Sequence, residues 1–218
     1  MEQRHNQDKH SLLFIIILGM LTAIGPLAID MFLPGLPELK NDFNTTTAHA
    51  QLTLSFFMIG LGIGNLFVGP ISDSLGRKKP LIIVMTIFTL ASLGIIFVHN
   101  IWLMIILRLL QGITGGGAAV ISRAIASDLY KGNELTKFLS LLMLVNGVAP
   151  VIAPALGGII LSVAVWRVIF VILTIFGILM VMGSLTKIPE SLSLEYRDSS
   201  GIKVIFQNFK SLLGTPRF

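Results

Sequence analysis

Gly69-Pro70-Ile71-Ser72-Asp73-Ser74-Leu75-Gly76-Arg77-Lys78-Lys79-Pro80 decides how this chain is read. It is a short charged stretch in a nearly continuous apolar sequence. An apolar run ends before it and another begins directly after it. Lys and Arg collect in the cytoplasmic loops of membrane proteins, so Arg77, Lys78 and Lys79 predict which side this stretch faces.

The composition agrees with a membrane protein. Of 218 residues, 54% are hydrophobic and 12% are charged, with a mean hydropathy of +0.86. Soluble domains carry about 25% charged residues. The net charge of +5 does not point to nucleic acid, because the basic residues fall between apolar runs rather than along one face. The chain has no cysteine, which excludes disulfides, thiolate metal sites and a cysteine nucleophile. His5, His10, His49 and His99 lack metal-ligand spacing. There is no phosphate-binding glycine loop, serine elbow or zincin motif, so an enzyme is not expected.

A spanning helix needs about 20 apolar residues. Six runs qualify: Leu12–Leu33, Gln51–Ile71, Leu81–Val98, Ile101–Ile125, Phe138–Val163 and Val165–Thr186. The first is too long for a signal-peptide core, and no small-residue cleavage site follows it. With a cytoplasmic N-terminus, thirteen Lys and Arg fall inside and two, Lys40 and Arg167, outside. That asymmetry predicts both ends in the cytoplasm. Residues 1–11 form a cytoplasmic N-terminus, 12–186 a six-helix bundle, and 187–218 a cytoplasmic linker. In the linker, Ile202, Ile205, Phe206, Phe209, Leu212 and Leu213 repeat at helical spacing. They predict an amphipathic helix lying on the membrane surface or packed on a neighbouring domain. Thr215 to Phe218 read as the approach to a further span. The layout of six spans with short outer loops suggests two inverted groups of three, as in many secondary transporters.

Few residues inside the runs can carry chemistry. Asp30 lies toward the outer end of the first, at a depth where a carboxyl is costly and suits proton binding and release; the alternative is a carboxyl near enough to the outer surface to be solvated, with Pro34 ending its helix. Arg108 lies seven residues into the fourth, about 10 Å below the outer face at 1.5 Å per residue. Its depth matches that of Asp30, so the two could pair. The alternative is a static contact that only locks helices. Gln111 and Gly112 share its helix face. Gly60 with Gly64, and Gly112 with Gly116, have the spacing of close helix packing. In the fifth run Gly147, Pro150, Pro154 and Gly158 recur at helical spacing, with Gly157 beside the last. Its two prolines predict a bend that shapes a cavity, or a kinked packing helix.

On these residues the chain resembles the major facilitator superfamily. Gly69, Asp73, Gly76, Arg77, Lys78 and Lys79 match its signature between spans two and three. Ser74 stands where a basic residue is usual. Leu107-Arg108-Leu109-Leu110-Gln111-Gly112 is similar to the span-four signature of proton-coupled members. Ala149 to Gly158 resembles the span-five antiporter motif, with Ala153 in the usual glycine place. Asp30 with Leu33-Pro34-Gly35-Leu36-Pro37, and Arg123 to Tyr130, resemble the bicyclomycin-resistance (Bcr/CflA) branch of drug:proton antiporters.

The resemblance implies an all-α integral membrane fold, six helices as 3+3 inverted repeats, forming the N-terminal half of a twelve-helix transporter. It implies proton-coupled efflux of drugs or other small lipophilic or cationic molecules across the cell membrane by alternating access. Asp30, Arg108 and Gln111 would line the proton and substrate pathway. Asp73 and Arg77 would form a cytoplasmic latch, with Asp128 as partner of the loop cations. The proton gradient would be the energy source, without a cofactor or metal. The partners implied are membrane lipid, protons, a small-molecule substrate, and a C-terminal six-span half or a second copy, but no nucleic acid. Two alternatives stay open: a metabolite exporter of the same fold, or a truncated, non-transporting remnant or partner subunit.

Overall fold

The computed structural model describes residues 12–197, which are helical apart from short connections. Helix α1 spans Leu12–Asp30 and is followed by a 3-10 turn, Leu33–Gly35, and a short helix α2, Leu36–Asp42. Then come α3 (Thr47–Leu75), α4 (Lys78–Ile96), α5 (Ile101–Leu129), α6 (Gly132–Leu161) and α7 (Arg167–Lys187). Leu12–Asp42, which takes in α1 and α2, and the five helices α3 to α7 make six segments long and apolar enough to cross a membrane. Residues 1–11 and the expected amphipathic helix at 202–213 lie outside the described residues.

The boundaries follow local chemistry. Thr46 caps α3 by accepting from the His49 N–H, and Asn100 caps α5 by accepting from Trp102 and Leu103. Helices α3, α5 and α6 run several residues past the apolar edges, because a helix goes on until a cap or turn residue stops it, whether or not its last turns are apolar. The opening stretch is therefore not a loop. Residues 69–75 complete α3, and only Gly76 and Arg77 turn the chain into α4. Gly76 has φ +90°, a conformation that side chains oppose, so glycine is what permits so short a turn. Pro150 and Pro154 both sit within one continuous α6, which is not broken at either residue.

The tightest seam joins α3 to α5. A Cβ on Gly60 would collide with the Leu109 carbonyl, one on Gly64 with that of Ile113, and one on Gly112 with that of Phe57. Backbones that meet this closely gain van der Waals contact, which drives helix association where lipid removes the hydrophobic incentive.

The remaining packing has an internal repeat. If α1, α3 and α4 are matched with α5, α6 and α7, the α3–α5 contact corresponds to α6–α1, and the α4–α5 contact to α7–α1. Both correspondents are present, and the α1–α5 and α4–α7 contacts map onto themselves. Three helices per unit reverse the second unit in the membrane. The layout thus holds as 3+3 inverted repeats. The core between them is built from Leu18, Leu21, Ile24, Phe57, Phe88 and Phe170.

Candidate functional site

The deepest polar group is Arg108, which is fully buried. It stands on α5 with Gln111 one turn on. Arg108 Nη1 donates to the Ala28 carbonyl of α1 (3.1 Å) and to Gln111 Oε1 (2.7 Å). Gln111 Nε2 donates in turn to Ser92 Oγ of α4 (2.7 Å). The chain of bonds thus ties three helices together. The guanidinium carbon lies 4.5 Å from the Phe57 ring centre, 4.9 Å from Phe32 and 5.6 Å from Phe170. Three aromatic faces stabilise the cation where water cannot, each by up to about 2 kcal/mol when desolvated. Nε and Nη2 have no hydrogen-bond partner among the described residues. The expected pairing with Asp30 is not formed. Asp30 is half-buried at the end of α1, without a hydrogen bond or ion pair among the described residues, while Arg108 takes the carbonyl of Ala28 instead. A helix end exposes carbonyls that its own helix does not use, and one of these reaches the guanidinium first.

A second cluster closes one end of the bundle. Arg77 is 7% exposed. Its Nη1 pairs with Asp73 (2.6 Å) and donates to Ser72 Oγ (2.7 Å), and its Nε pairs with Asp128 at the end of α5 (3.0 Å). The structure thus brings Asp73 and Arg77 of the signature together with Asp128, the partner implied for the loop cations. Ser74, at the position of a missing cation, donates to the Ile71 carbonyl. Gly69 packs against Val120, with 3.1 Å between an added Cβ and a Val120 methyl.

The sequence reading missed the other side of this cluster. After α7 the chain returns over the turn. Glu190 accepts from the Arg77 N–H (2.7 Å) and the Lys78 N–H (3.4 Å), the open amides at the start of α4. Ser191 donates to Asp128 (2.8 Å), Arg197 pairs with Glu190 (3.6 Å), and Lys78 Nζ donates to the Leu185 carbonyl (2.9 Å). An Asp or Glu at a helix N-terminus meets the positive end of its dipole. A clue was present in Pro189-Glu190-Ser191, where an acid directly follows the basic end of the last apolar run.

A third cluster, also missed, closes the opposite end. Arg167 pairs with Asp42 at the end of α2 and donates to the Ile96 (3.1 Å) and Val98 (3.1 Å) carbonyls at the end of α4. Trp166 Nε1 donates to Asp42 (3.1 Å), and the Trp166 N–H donates to Glu38 (3.1 Å) at the start of α7. In the sequence these residues read only as sparse charges beyond the spans.

The span-five residues divide. Gly157 faces α1, where an added Cβ would collide with the Met31 carbonyl. Gly147, Pro150 and Gly158 are exposed, Pro154 half so, and among the described residues nothing lies within 4 Å of a Cβ built on Gly147 or Gly158. Helix α6 thus carries an open strip of small residues and prolines.

Residues 18–218 match the family model described as Major Facilitator Superfamily. The chain belongs to that superfamily. It is 44% identical, over 98% of its length, to an uncharacterized MFS-type transporter, YdgK, of Bacillus subtilis, and covers 54% of that relative. It is 33% identical, over 94% of its length, to a bicyclomycin resistance protein homolog of Haemophilus influenzae, covering 51% of it. Multidrug resistance protein D of Escherichia coli is 26% identical over 94% of the chain and is covered to 51%. The chain spans about half the length of these curated relatives. Among solved structures, the human organic anion transporter MFSD10 superposes with a TM-score of 0.63 at 18% identity. That match covers 85% of this chain and 49% of the other, and it supports the fold. The protein is thus a multi-pass membrane protein of a transporter family.

Proposed function

We propose that this chain forms the N-terminal half of a proton-coupled exporter, which moves drugs or other small lipophilic or cationic molecules across the cell membrane by alternating access. The observation that carries the reading is the enclosed Arg108, held by three aromatic faces with two donor nitrogens unbonded among the described residues, in a chain similar to bicyclomycin and multidrug resistance proteins. A buried cation with spare donors gains strongly from an anion brought to it. Asp30 lies two residues past Ala28, whose carbonyl Arg108 now holds. In this reading Asp30 takes a proton on one side and gives it up on the other, and the ionised carboxylate draws on Arg108. Gln111 transmits the change to α4 through Ser92. A proton crossing 100 mV supplies about 2.3 kcal/mol.

The cluster of Asp73, Arg77, Lys78, Asp128 and Glu190 acts as the cytoplasmic latch, with the Arg77 end and both termini in the cytoplasm. Gly69 and Gly76 supply its close packing and its turn. The open strip of α6 (Gly147, Pro150, Pro154, Gly158) faces the second six-helix unit, whether encoded with this one or contributed by another copy. The test uses the complete coding sequence in cells loaded with ethidium. Asp30→Asn is expected to abolish proton-driven efflux while leaving the protein in the membrane. Proton-coupled efflux that survives the substitution overturns the role of Asp30.

A further inference from the structure

The exporter reading uses Arg108 but not Arg123, another cation within a span. Arg123 lies six residues before the end of α5, about 9 Å into the helix from that end. Its side chain is exposed, and Nε donates to the Ala119 carbonyl of its own helix (3.2 Å). It makes no ion pair and no other hydrogen bond among the described residues. An ionisable group inside a membrane span is costly unless something answers its charge.

Arg123 opens on a cavity of about 60 Å³ between α1, α5 and α6, lined also by Thr22, Leu139, Leu142, Met143 and Asn146. The Asn146 amide is half-buried and has no hydrogen bond among the described residues. None of the lining residues is acidic. A larger cavity of about 270 Å³ lies between α1 and α6 and shares Leu142 with the first. Ile16, Met20 and Val145 are among its apolar walls. The two cavities share a wall at Leu142: a small pocket edged by the Asn146 amide and by a guanidinium bonded only to its own helix among the described residues, beside a larger apolar one.

We propose that Arg123 and Asn146 bind the carboxylate of a lipophilic organic anion whose apolar body lies between α1 and α6. A guanidinium presents paired N–H groups that match the two oxygens of a carboxylate. The Asn146 NH2 adds a third donor. The same charge repels a cation, so this site adds lipophilic anions to the substrates of the exporter reading, on which it rests for its place in a transport path.

The test uses the complete protein, purified in dodecyl maltoside, with fluorescein as the lipophilic carboxylate and ethidium as the cation. Binding is followed by fluorescence anisotropy. Arg123→Gln is expected to weaken fluorescein binding about 10-fold or more, the loss of a charged hydrogen-bond donor. Arg123→Lys keeps much of the affinity, and Asn146→Ala costs about 3-fold. The ratio of fluorescein to ethidium affinity falls in Arg123→Gln. The proposal is overturned if wild-type protein does not bind fluorescein, if Arg123→Gln binds it equally well, or if both dyes weaken together. It is also overturned if phosphatidylglycerol displaces fluorescein while phosphatidylcholine vesicles holding the protein move none of it, which makes the site a lipid contact. Proton-driven ethidium movement in the same vesicles tests the exporter reading separately, and its absence leaves the binding result standing.

Discussion

The two ends of the bundle are closed by clusters of the same design. At one end Arg77 precedes α4 and pairs with Asp128, at the close of α5. At the other Arg167 begins α7 and pairs with Asp42, in the helical extension of α1. Helices α4 and α7 correspond under the internal repeat, and so do α5 and α1. The two arginine–aspartate pairs are thus counterparts on opposite ends. Each helix start is also capped by a glutamate, Glu190 for α4 and Glu38 for α7, but these arrive from non-corresponding segments. The repeat therefore fixes where a pair is needed, while the nearest free segment decides what caps it. The ends differ in how they hold their arginine. The Arg77 side chain is 8% exposed and shared between two carboxylates. That of Arg167 is 23% exposed, stacks 4.4 Å from the Trp166 ring centre, and spends its other nitrogens on backbone carbonyls.

The largest expected consequence separates the ends directly. Arg77→Ala leaves the Asp128 carboxylate, 18% exposed, with only the Ser191 hydroxyl among the described residues. Breaking a buried ion pair costs about 3–5 kcal/mol, and partial exposure puts this case near 3. Arg167→Ala leaves Asp42, 39% exposed, within reach of water, and is expected to cost about 1 kcal/mol. Thermal unfolding of the complete protein in detergent measures both. An equal or larger loss at Arg167 would show that stacking and carbonyl bonds outweigh the buried pair.

The turn gives the next largest difference. A Cβ on Gly76 would sit 2.5 Å from Glu190 Oε2, in a backbone conformation that L residues disfavour. Gly76→Ala should cost about 2 kcal/mol, part of it strain and part the loss of the Glu190 cap as that side chain moves away. The Arg167 end has no counterpart, because its turn from α6 into α7 contains no residue with positive φ. A substitution such as Val163→Ala, at an exposed position in that turn, should change the melting temperature little.

These differences also mark how far the sequence could be read. Apolar run length is local information, so all six spans were legible. Asp73 and Arg77 were legible as a signature, and Asp128 as the partner that the resemblance implied for the loop cations. Glu190, Ser191 and Arg197 were not, because what joins them to Gly76 is the return of the chain after α7, more than a hundred residues away. Asp42 and Arg167 were hidden in the same way, their separation in sequence being 125 residues. The pairing of Asp30 with Arg108 failed for another reason. Equal depth in the membrane does not settle which acceptor a guanidinium takes, and the nearer one was a backbone carbonyl, which carries no sequence signal.

The caps should respond more weakly. Glu190→Gln removes a charge that answers two amides of α4 and also pairs with Arg197. Glu38→Gln removes one that answers a single amide of α7. Charge at a helix N-terminus contributes about 0.3–1 kcal/mol. The first substitution is expected near the top of that range and the second near the bottom, read again as shifts in melting temperature. Reversed order would mean that the Glu38 carboxylate does more than cap, for instance by fixing α2 against Trp166.

Salt provides the smallest and most selective effect. Exposed pairs are screened within a Debye length of about 10 Å at 0.1 M salt, falling to about 3 Å at 1 M, whereas buried pairs are screened much less. Double-mutant cycles on Arg77 with Asp128, and on Arg167 with Asp42, isolate each coupling energy from the other contacts of the arginine. Between low and molar salt, the Arg167–Asp42 coupling should fall by about 0.5 kcal/mol, most of what an exposed pair contributes. The Arg77–Asp128 coupling should change by less, since Arg77 is shielded by α3, α5 and the strand of chain after α7. If both couplings fall equally, the segment carrying Glu190 does not keep water and ions from Arg77. The cover it forms would then be open for much of the time, although the pair beneath it is formed. If neither falls, stacking on Trp166 protects the exposed pair as well as burial protects the other.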